Sequence, residues 1–237
     1  MNGWFVTGTD TGVGKTTIAC ALVRALQRRG ARIAVSKPVA SGANRTPQGL
    51  RNDDALALAA AAELDVSAPG EYARINPFCF EPPIAPHIAA AEAGVVIDVA
   101  ALAARIRRNA AENDWLVVEG AGGWRVPLDA THDFADLAVA LELPVVLVVG
   151  LRLGCINHAL LSAESIAAGG MKLAGWVANG IDPAMARRAE NIATLSARLG
   201  TPPWMTVPHG ATAAELAALA APVIDRLAVG FTATPLR

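Results

Sequence analysis

The sequence predicts an α/β fold of three layers, with a mostly parallel central sheet and helices on both faces. Three observations carry this prediction. Short uncharged runs alternate with amphipathic helical patterns, and those runs are continuously apolar, as suits strands covered on both sides. At 237 residues the chain is long enough to bury such a sheet. Candidate strands are 3–7, 32–36, 115–119, 144–149, 173–178 and 203–207. Their alternation with helices implies parallel neighbours joined by right-handed crossovers.

The first strand runs into a Gly-rich turn ending in Gly14-Lys15-Thr16-Thr17, and a helical pattern starts at once. This is the strand–loop–helix context that a phosphate-binding loop needs. Glycines such as Gly12 and Gly14, flanking Val13, let consecutive N–H groups wrap an anion, and the helix adds its positive dipole end. Lys15 is expected to reach the β- and γ-phosphates, and the Thr16 hydroxyl to take a Mg²⁺ position. A strict pattern wants glycine at position 9, where Thr9 stands; the glycine is one place earlier, at Gly8. The fold expected is therefore of the P-loop NTPase type. In the helix over 15–29, Ile18, Leu22, Ala25 and Leu26 share one face, and Gly30 is a stop signal.

The second strand ends in Ser36-Lys37-Pro38-Val39-Ala40-Ser41-Gly42. Open parallel sheets bind ligands at the carboxyl ends of their strands. Lys37 is thus either a second cation beside the phosphates or a surface lysine, and Ser41 either bonds a polar substrate or caps a turn. Asp53 and Asp54 open an alanine-rich helix over 53–64, where an acid is expected as a cap or dipole partner. Residues 67–88, with five prolines, form the longest irregular stretch, and such stretches are more often functional than idle. The helix over 98–112 carries the one basic cluster, Arg105-Ile106-Arg107-Arg108, which reads as a solvated face. Strand 115–119 ends in Glu119-Gly120-Ala121-Gly122-Gly123. A carboxylate finishing a buried strand is placed to meet Mg²⁺, and the glycines let a ligand come close. A helix over 133–141 follows; His87 and His132 are isolated and default to structural roles.

Strand 144–149, inside the apolar stretch Leu143 to Leu151, leads to a second glycine turn and a helix over 155–168. That helix start, around Gly154, Cys155, Ile156 and Asn157, could bind another anion such as a carboxylate. Cys155 and His158 lie three apart without a further ligand pair and read as helix residues. Asn179, after strand 173–178, has an amide suited to a purine edge, though a strand-end Asn is also a routine turn residue. The helix over 185–199 sets Met185, Ala189, Ile192, Leu195 and Leu199 on one stripe and ends at Gly200. After strand 203–207, the backbone of Val207-Pro208-His209 could finish a base pocket. The last helix, 212–228, is expected to be interrupted or kinked at Pro222. With no internal repeat and no low-complexity linker, one domain over 1–237 is expected.

Composition narrows the function classes. A net charge of −1 leaves no electrostatic footprint for nucleic acid. No apolar run reaches the ~18 residues that span a bilayer, and the opening residues show no leader pattern. Cys20, Cys79 and Cys155 are few, scattered and odd in number, which argues against a disulfide scaffold and fits a reducing cytoplasm. A cytoplasmic protein with no membrane partner is expected.

Taken together, the motifs resemble the dethiobiotin synthetase family. The resemblance runs through Gly8–Thr16, Lys37-Pro-Val-Ala-Ser-Gly42, Leu50-Arg-Asn-Asp-Asp-Ala55, Pro86-His87, Glu119–Gly123, Gly154-Cys-Ile-Asn-His158 and Gly175-Trp-Val-Ala-Asn179, nearly the whole chain. The displaced glycine is itself a feature of that family's loop. The resemblance implies 7,8-diaminononanoate, CO₂ and ATP as substrates, with Mg²⁺. It implies Thr16, Asp54 and Glu119 as metal ligands, choosing Asp54 over Asp53, and Lys15 and Lys37 as the cations stabilising carbamate and phosphoryl charge. Thr11 and Ser41 would orient the diamine, while residues 12–17 wrap the phosphates. Asn179 and the 207–209 backbone would hold adenine. Gly154–Asn157 would take the substrate's distant carboxylate across a homodimer interface. Some family members have Glu where this chain has Gly12.

Two rival classes share the phosphate loop. A nucleotide switch of the partitioning or metallochaperone kind usually carries a lysine at the place of Asp10, often with an amphipathic membrane-binding tail, whereas this chain ends in Thr-Ala-Thr-Pro-Leu-Arg. A glutamine-dependent amide synthase would need an amidotransferase domain for which 237 residues leave no room.

Overall fold

The computed structural model describes residues 2–231. In chain order these form β1 (Asn2–Gly8), α1 (Lys15–Gln27), β2 (Ile33–Ser36), β3 (Val39–Ala40), β4 (Asn44–Thr46), β5 (Gly49–Arg51), α2 (Asp53–Ala61), α3 (Glu71–Ile75), β6 (Phe78–Cys79) and α4 (Pro86–Glu92). The second half adds α5 (Val99–Ala110), β7 (Trp115–Glu119), α6 (Phe134–Leu141), β8 (Val145–Leu151), α7 (Cys155–Ala168), β9 (Leu173–Gly180), α8 (Arg188–Leu199), β10 (Met205–Val207) and α9 (Ala213–Phe231).

Six strands make one sheet in the order β10-β9-β8-β1-β7-β2, and every neighbouring pair in it is parallel. These are the six strands expected from the sequence. The apolar runs alternate between faces as a pleat requires. Trp4, Val6, Val117, Val146, Val148 and Val177 pack on one side with α1, α2 and α9, in a core holding Ile18, Leu22, Leu26, Leu58 and Val223. Phe5, Leu116, Val118 and Val145 face the other way toward α5 and α6, in a core with Ile106, Phe134 and Leu137. Leu147, Val149 and Trp176 continue that face under α7 and α8. All of Val145–Leu151 is buried, and each such Val or Leu contributes about 1.5–3 kcal/mol of transfer free energy. Cys20 and Cys155 are buried and Cys79 is half-buried; among the described residues all three cysteines are free.

Five expectations are corrected or narrowed. Residues 67–88 are not irregular throughout: they contain α3 and β6, and β6 pairs with β3. The helix expected from 185 starts at Arg188, because Ala184 N–H bonds the Asp182 side chain at 2.9 Å and Arg187 adopts a φ of 54°, which holds 182–187 in turns. Met185 still packs beside Leu195. Helix α9 is continuous through Pro222, which removes one backbone donor while Ala220, Val223 and Ile224 stay buried around it. Of the two roles open to the aspartates at the start of α2, they take that of dipole partners in its first turn and neither is the cap. Asn52 is the cap, its side chain accepting from Asp54 N at 3.1 Å and Ala55 N at 3.2 Å. The expected basic face of α5 is only partly solvated, since Ile106 is buried and Arg105 donates to the Ala73 carbonyl at 2.7 Å.

Candidate active site

The loop after β1 turns on glycine geometry. Gly14 caps α1 with a φ of 89°, and no side chain caps the helix, so its first N–H groups face outward. A Cβ at Gly14 would stand 2.2 Å from the Asn179 amide nitrogen. That nitrogen donates to the Val13 carbonyl at 2.8 Å, so Asn179 braces the loop from the end of β9. A Cβ at Gly8 would meet the Val13 side chain at 2.6 Å, which gives the displaced glycine its physical reason. Lys15, 6% exposed, folds back to donate to the Asp10 carbonyl at 2.8 Å. The Asp10 carboxylate in turn pairs with Arg152.

Opposite the loop, the carboxyl ends of β2 and β7 bring Lys37 and Glu119 together. Lys37 is 3% exposed and Glu119 fully buried. The Lys37 ammonium donates to Glu119 Oε1 at 2.6 Å, Asp54 Oδ2 at 2.8 Å and the Gly120 carbonyl at 3.2 Å. Thr16 Oγ1 donates to the same Glu119 Oε1 at 2.7 Å. Burial pushes Lys37 toward its neutral form, but the Glu119 and Asp54 charges outweigh it and raise its pKa above the ordinary lysine value. Burial opposes ionisation of Asp54 too, and Lys37 overrides it, leaving that pKa below the usual carboxylate range. Geometry thus sets Asp54 and not Asp53 beside Lys37, since the Asp53 carboxylate meets the Asn44 amide at 3.4 Å.

These groups line one cavity of about 680 Å³, which also takes in Thr11, Gly12, Thr17, Ser41, Ala121 and Gly122. The residues expected to work on phosphate, metal and carbamate therefore converge. Others lie elsewhere. Asn179, Val207, Pro208 and His209 sit at the ends of β9 and β10, outside this cavity's lining, and so does the Gly154–Asn157 turn that starts α7. The Asn179 amide, expected at a purine edge, gives one of its N–H groups to the phosphate loop and keeps a second N–H and its oxygen. His132 bonds Asp129 at 2.9 Å within its own turn.

Glu119 Oε2 is buried and has no hydrogen-bond partner among the described residues. Leaving such an oxygen unpaired is costly, and a hard cation would satisfy it. Thr16, Asp54 and Glu119 offer only oxygen ligands, as Mg²⁺ prefers. Among the described residues no group of three or more His, Cys, Asp and Glu could hold a metal by itself. This donor set fits a Mg²⁺ ion completed by substrate phosphates rather than a protein cage.

Burial, then the Lys37 charge, lowers the Lys15 pKa from 10.5 to about 8. The fold therefore bears the cost of a buried ammonium below pH 8, and the cost is relieved as pH rises toward 10.5. An anion in the loop favours the protonated lysine. Triphosphate affinity is expected to fall as pH rises above about 8, with proton uptake on binding. Calorimetry in buffers of different ionisation heat checks this; binding heats that do not depend on the buffer above that pH would refute it.

The sequence motifs assign no site role to another part of the cavity lining: Pro83, Ile84, Ala85, Pro86 and Val126, with Asn52. The proline-rich character of 67–88 and the motifs Leu50–Ala55 and Pro86-His87 pointed to these segments, but gave Asn52 and Pro86 no place in a cavity.

A family model described as an AAA domain matches residues 2–214. The ATP-dependent dethiobiotin synthetase BioD of Pseudomonas paraeruginosa is 53% identical over 231 residues, covering 97% of this chain and all of that protein. The protein of the same name from Xanthomonas euvesicatoria is 51% identical over 216 residues, covering 90% and 95% of the two chains. Among solved structures, the MinC:MinD cell division complex of Aquifex aeolicus gives a TM-score of 0.58 at 16% identity, covering 100% of this chain and 99% of that one. The Pyrococcus furiosus cell division ATPase MinD gives 0.57 at 17% identity, covering 96% and 100%. At that identity the likeness to MinD speaks for the P-loop fold alone. The close relatives decide the rest: the chain belongs to the ATP-dependent dethiobiotin synthetase family, P-loop enzymes of the ligase type that act in biotin synthesis.

Proposed function

We propose that the chain, acting as a single domain, closes the cyclic urea of dethiobiotin. One amine of 7,8-diaminononanoate takes up CO₂ as a carbamate. A carbamate oxygen attacks the γ-phosphorus of ATP, displacing ADP and forming a carbamic–phosphoric anhydride. The neighbouring amine attacks the carbamoyl carbon, and phosphate leaves as the ring forms. The observation that carries this reading is the convergence of Lys15 and Lys37 on one cavity with Thr16, Asp54 and Glu119. Activation resides in the phosphoryl group, so placing the reactants and stabilising charge are the protein's main tasks.

Lys15 and Lys37 face the oxygens on which charge builds. Thr11 and Ser41, both lining the cavity, orient the diamine. Residues 12–17 cradle the phosphates, and Gly120–Gly122 let them come close to Glu119. Thr16, Asp54 and Glu119 would hold Mg²⁺, which when bound neutralises phosphate charge. Asn179, Val207, Pro208 and His209 border the adenine site.

The Gly154–Asn157 helix start lies outside the cavity of its own chain, so a carboxylate held there belongs to a substrate bound in a second copy. Leu153 is 95% exposed and Leu161 on α7 57% exposed, which supports a homodimer through this face. Among the described residues no helix is long and apolar enough to cross a membrane. The C-terminal Thr232–Arg237, compared above with switch-protein tails, lies outside the described residues.

Product analysis with ATP, bicarbonate and the diamine tests the reading. Phosphate release that requires the diamine and is matched by cyclic urea supports it; ATP turnover indifferent to the diamine overturns it. Asn157→Ala is expected to raise KM for the diamine about tenfold and leave ATP affinity unchanged. Equal damage to both would remove the carboxylate role.

A further inference from the structure

A chain of buried hydrogen bonds links two groups of the site that sit on separate segments. Asn76, 2% exposed, follows α3, and its Nδ2 donates to the Lys37 carbonyl at 2.6 Å and the Phe78 carbonyl at 3.0 Å. The Tyr72 hydroxyl donates to Asn76 Oδ1 at 2.9 Å and accepts from the Asn52 backbone N–H at 2.7 Å. Asn52 is the residue that caps α2 through Asp54 N and Ala55 N. Lys37 N–H donates to the Ile75 carbonyl at 2.9 Å, so the Lys37 peptide is gripped on both sides by α3 and the residue after it. Arg51 lies over the Tyr72 ring, 4.2 Å from its centroid, and fixes the ring's plane.

This grip falls where the strand cannot provide one. Pro38 follows Lys37, so it has no N–H to offer, and it restricts Lys37 to an extended backbone. The main sheet stops at Ser36 and the β3 pairing starts at Val39, with the Pro38 carbonyl accepting from Phe78 N–H at 3.2 Å, which leaves the Lys37 carbonyl outside both ladders. Asn76 supplies the missing partner.

We propose that Asn76, braced by Tyr72, is a positioning residue that sets Lys37 and, through Asn52, Asp54 in one fixed relation. The inference rests on the ring-closure reading of the site. A shift of Lys37 against Asp54 loosens the fit around the carbamate and lets water compete for the phosphoryl group, so that phosphate is released without product. A purely structural role would lower both outputs in proportion.

The test measures kcat, KM for ATP and the diamine, and phosphate released per cyclic urea formed. Tyr72→Phe keeps the ring and removes only the hydroxyl linking Asn52 to Asn76. Its kcat is expected to fall about tenfold with both KM values within about twofold, and the phosphate-to-urea ratio to rise. Asn76→Asp, which sets an acceptor against the Lys37 carbonyl, is expected to do the same more strongly and serves if the first variant does not fold. Trp176→Phe, which drops a buried bond to the Thr201 carbonyl far from the cavity, controls for lost stability. The proposal fails if both variants keep the wild-type kcat and ratio, or if they lose activity at an unchanged ratio as the control does. If the wild-type protein itself forms no urea, the underlying reading has failed instead.

Discussion

Lys37→Ala is expected to lower kcat by about 10²–10³-fold while ATP affinity changes by only a few fold. The ammonium donates three hydrogen bonds at the junction of β2 and β7, two of them to carboxylates, and it faces the cavity beside Lys15. A charge that matters most as the phosphoryl group moves acts on the transition state, not on the ground-state complex. The variant also leaves fully buried Glu119 with Thr16 as its remaining side-chain donor, so a lower melting temperature should accompany the loss. A Mg²⁺ ion held by Glu119 would replace part of the lost positive charge, so added Mg²⁺ should recover part of that stability. Steady-state kinetics beside nucleotide titrations separate the two roles. A loss of ATP affinity as large as the loss of kcat would assign Lys37 to binding alone.

The second large effect is expected from Gly14→Ala. Alanine at a φ of 89° costs about 1–2 kcal/mol, and its methyl group would sit 2.2 Å from the Asn179 nitrogen. The loop must then give up the Asn179–Val13 bond, worth about 0.5–1.5 kcal/mol, or swing away from its phosphate-binding shape. Together these predict an ATP dissociation constant raised about tenfold to 300-fold. Gly12→Ala is the contrast: its φ of 74° carries the same backbone strain, yet nothing lies within 4 Å of the added Cβ. If both substitutions weaken binding equally, the Asn179 brace contributes nothing.

Much of this was legible in the residues because strand ends carry their own markers. Gly14-Lys15-Thr16 marked the phosphate loop, and Glu119 at the end of an apolar run marked a carboxylate of the cavity wall. What stayed hidden depends on contacts between distant segments. The Asn52 cap could not be told from an Asp53 cap, because both residues are good N-caps and only the fold shows which side chain turns back. That choice matters, since it frees the Asp54 side chain for Lys37. The Asn179 amide looked like a base-recognition group, and its bond to Val13 comes from the strand order, which periodicity does not encode. Tyr72 and Asn76 read as ordinary residues of a proline-rich stretch; they become partners of Lys37 only once α3 packs beside β2.

The place of β1 in the sheet has a consequence for how the chain acquires its shape. Its two neighbours are β7 and β8, paired through Phe5 with Val118 and Val145. During synthesis β1, with the nucleotide loop behind it, has no partner until the ribosome has passed Glu119 and no second one until it has passed residue 148. Long-range pairing of this kind makes folding slow, and α1 must wait beside an unpaired apolar strand. Refolding from denaturant should therefore regain its nucleotide-induced protection late, together with the β1 amides rather than with the α1 helix.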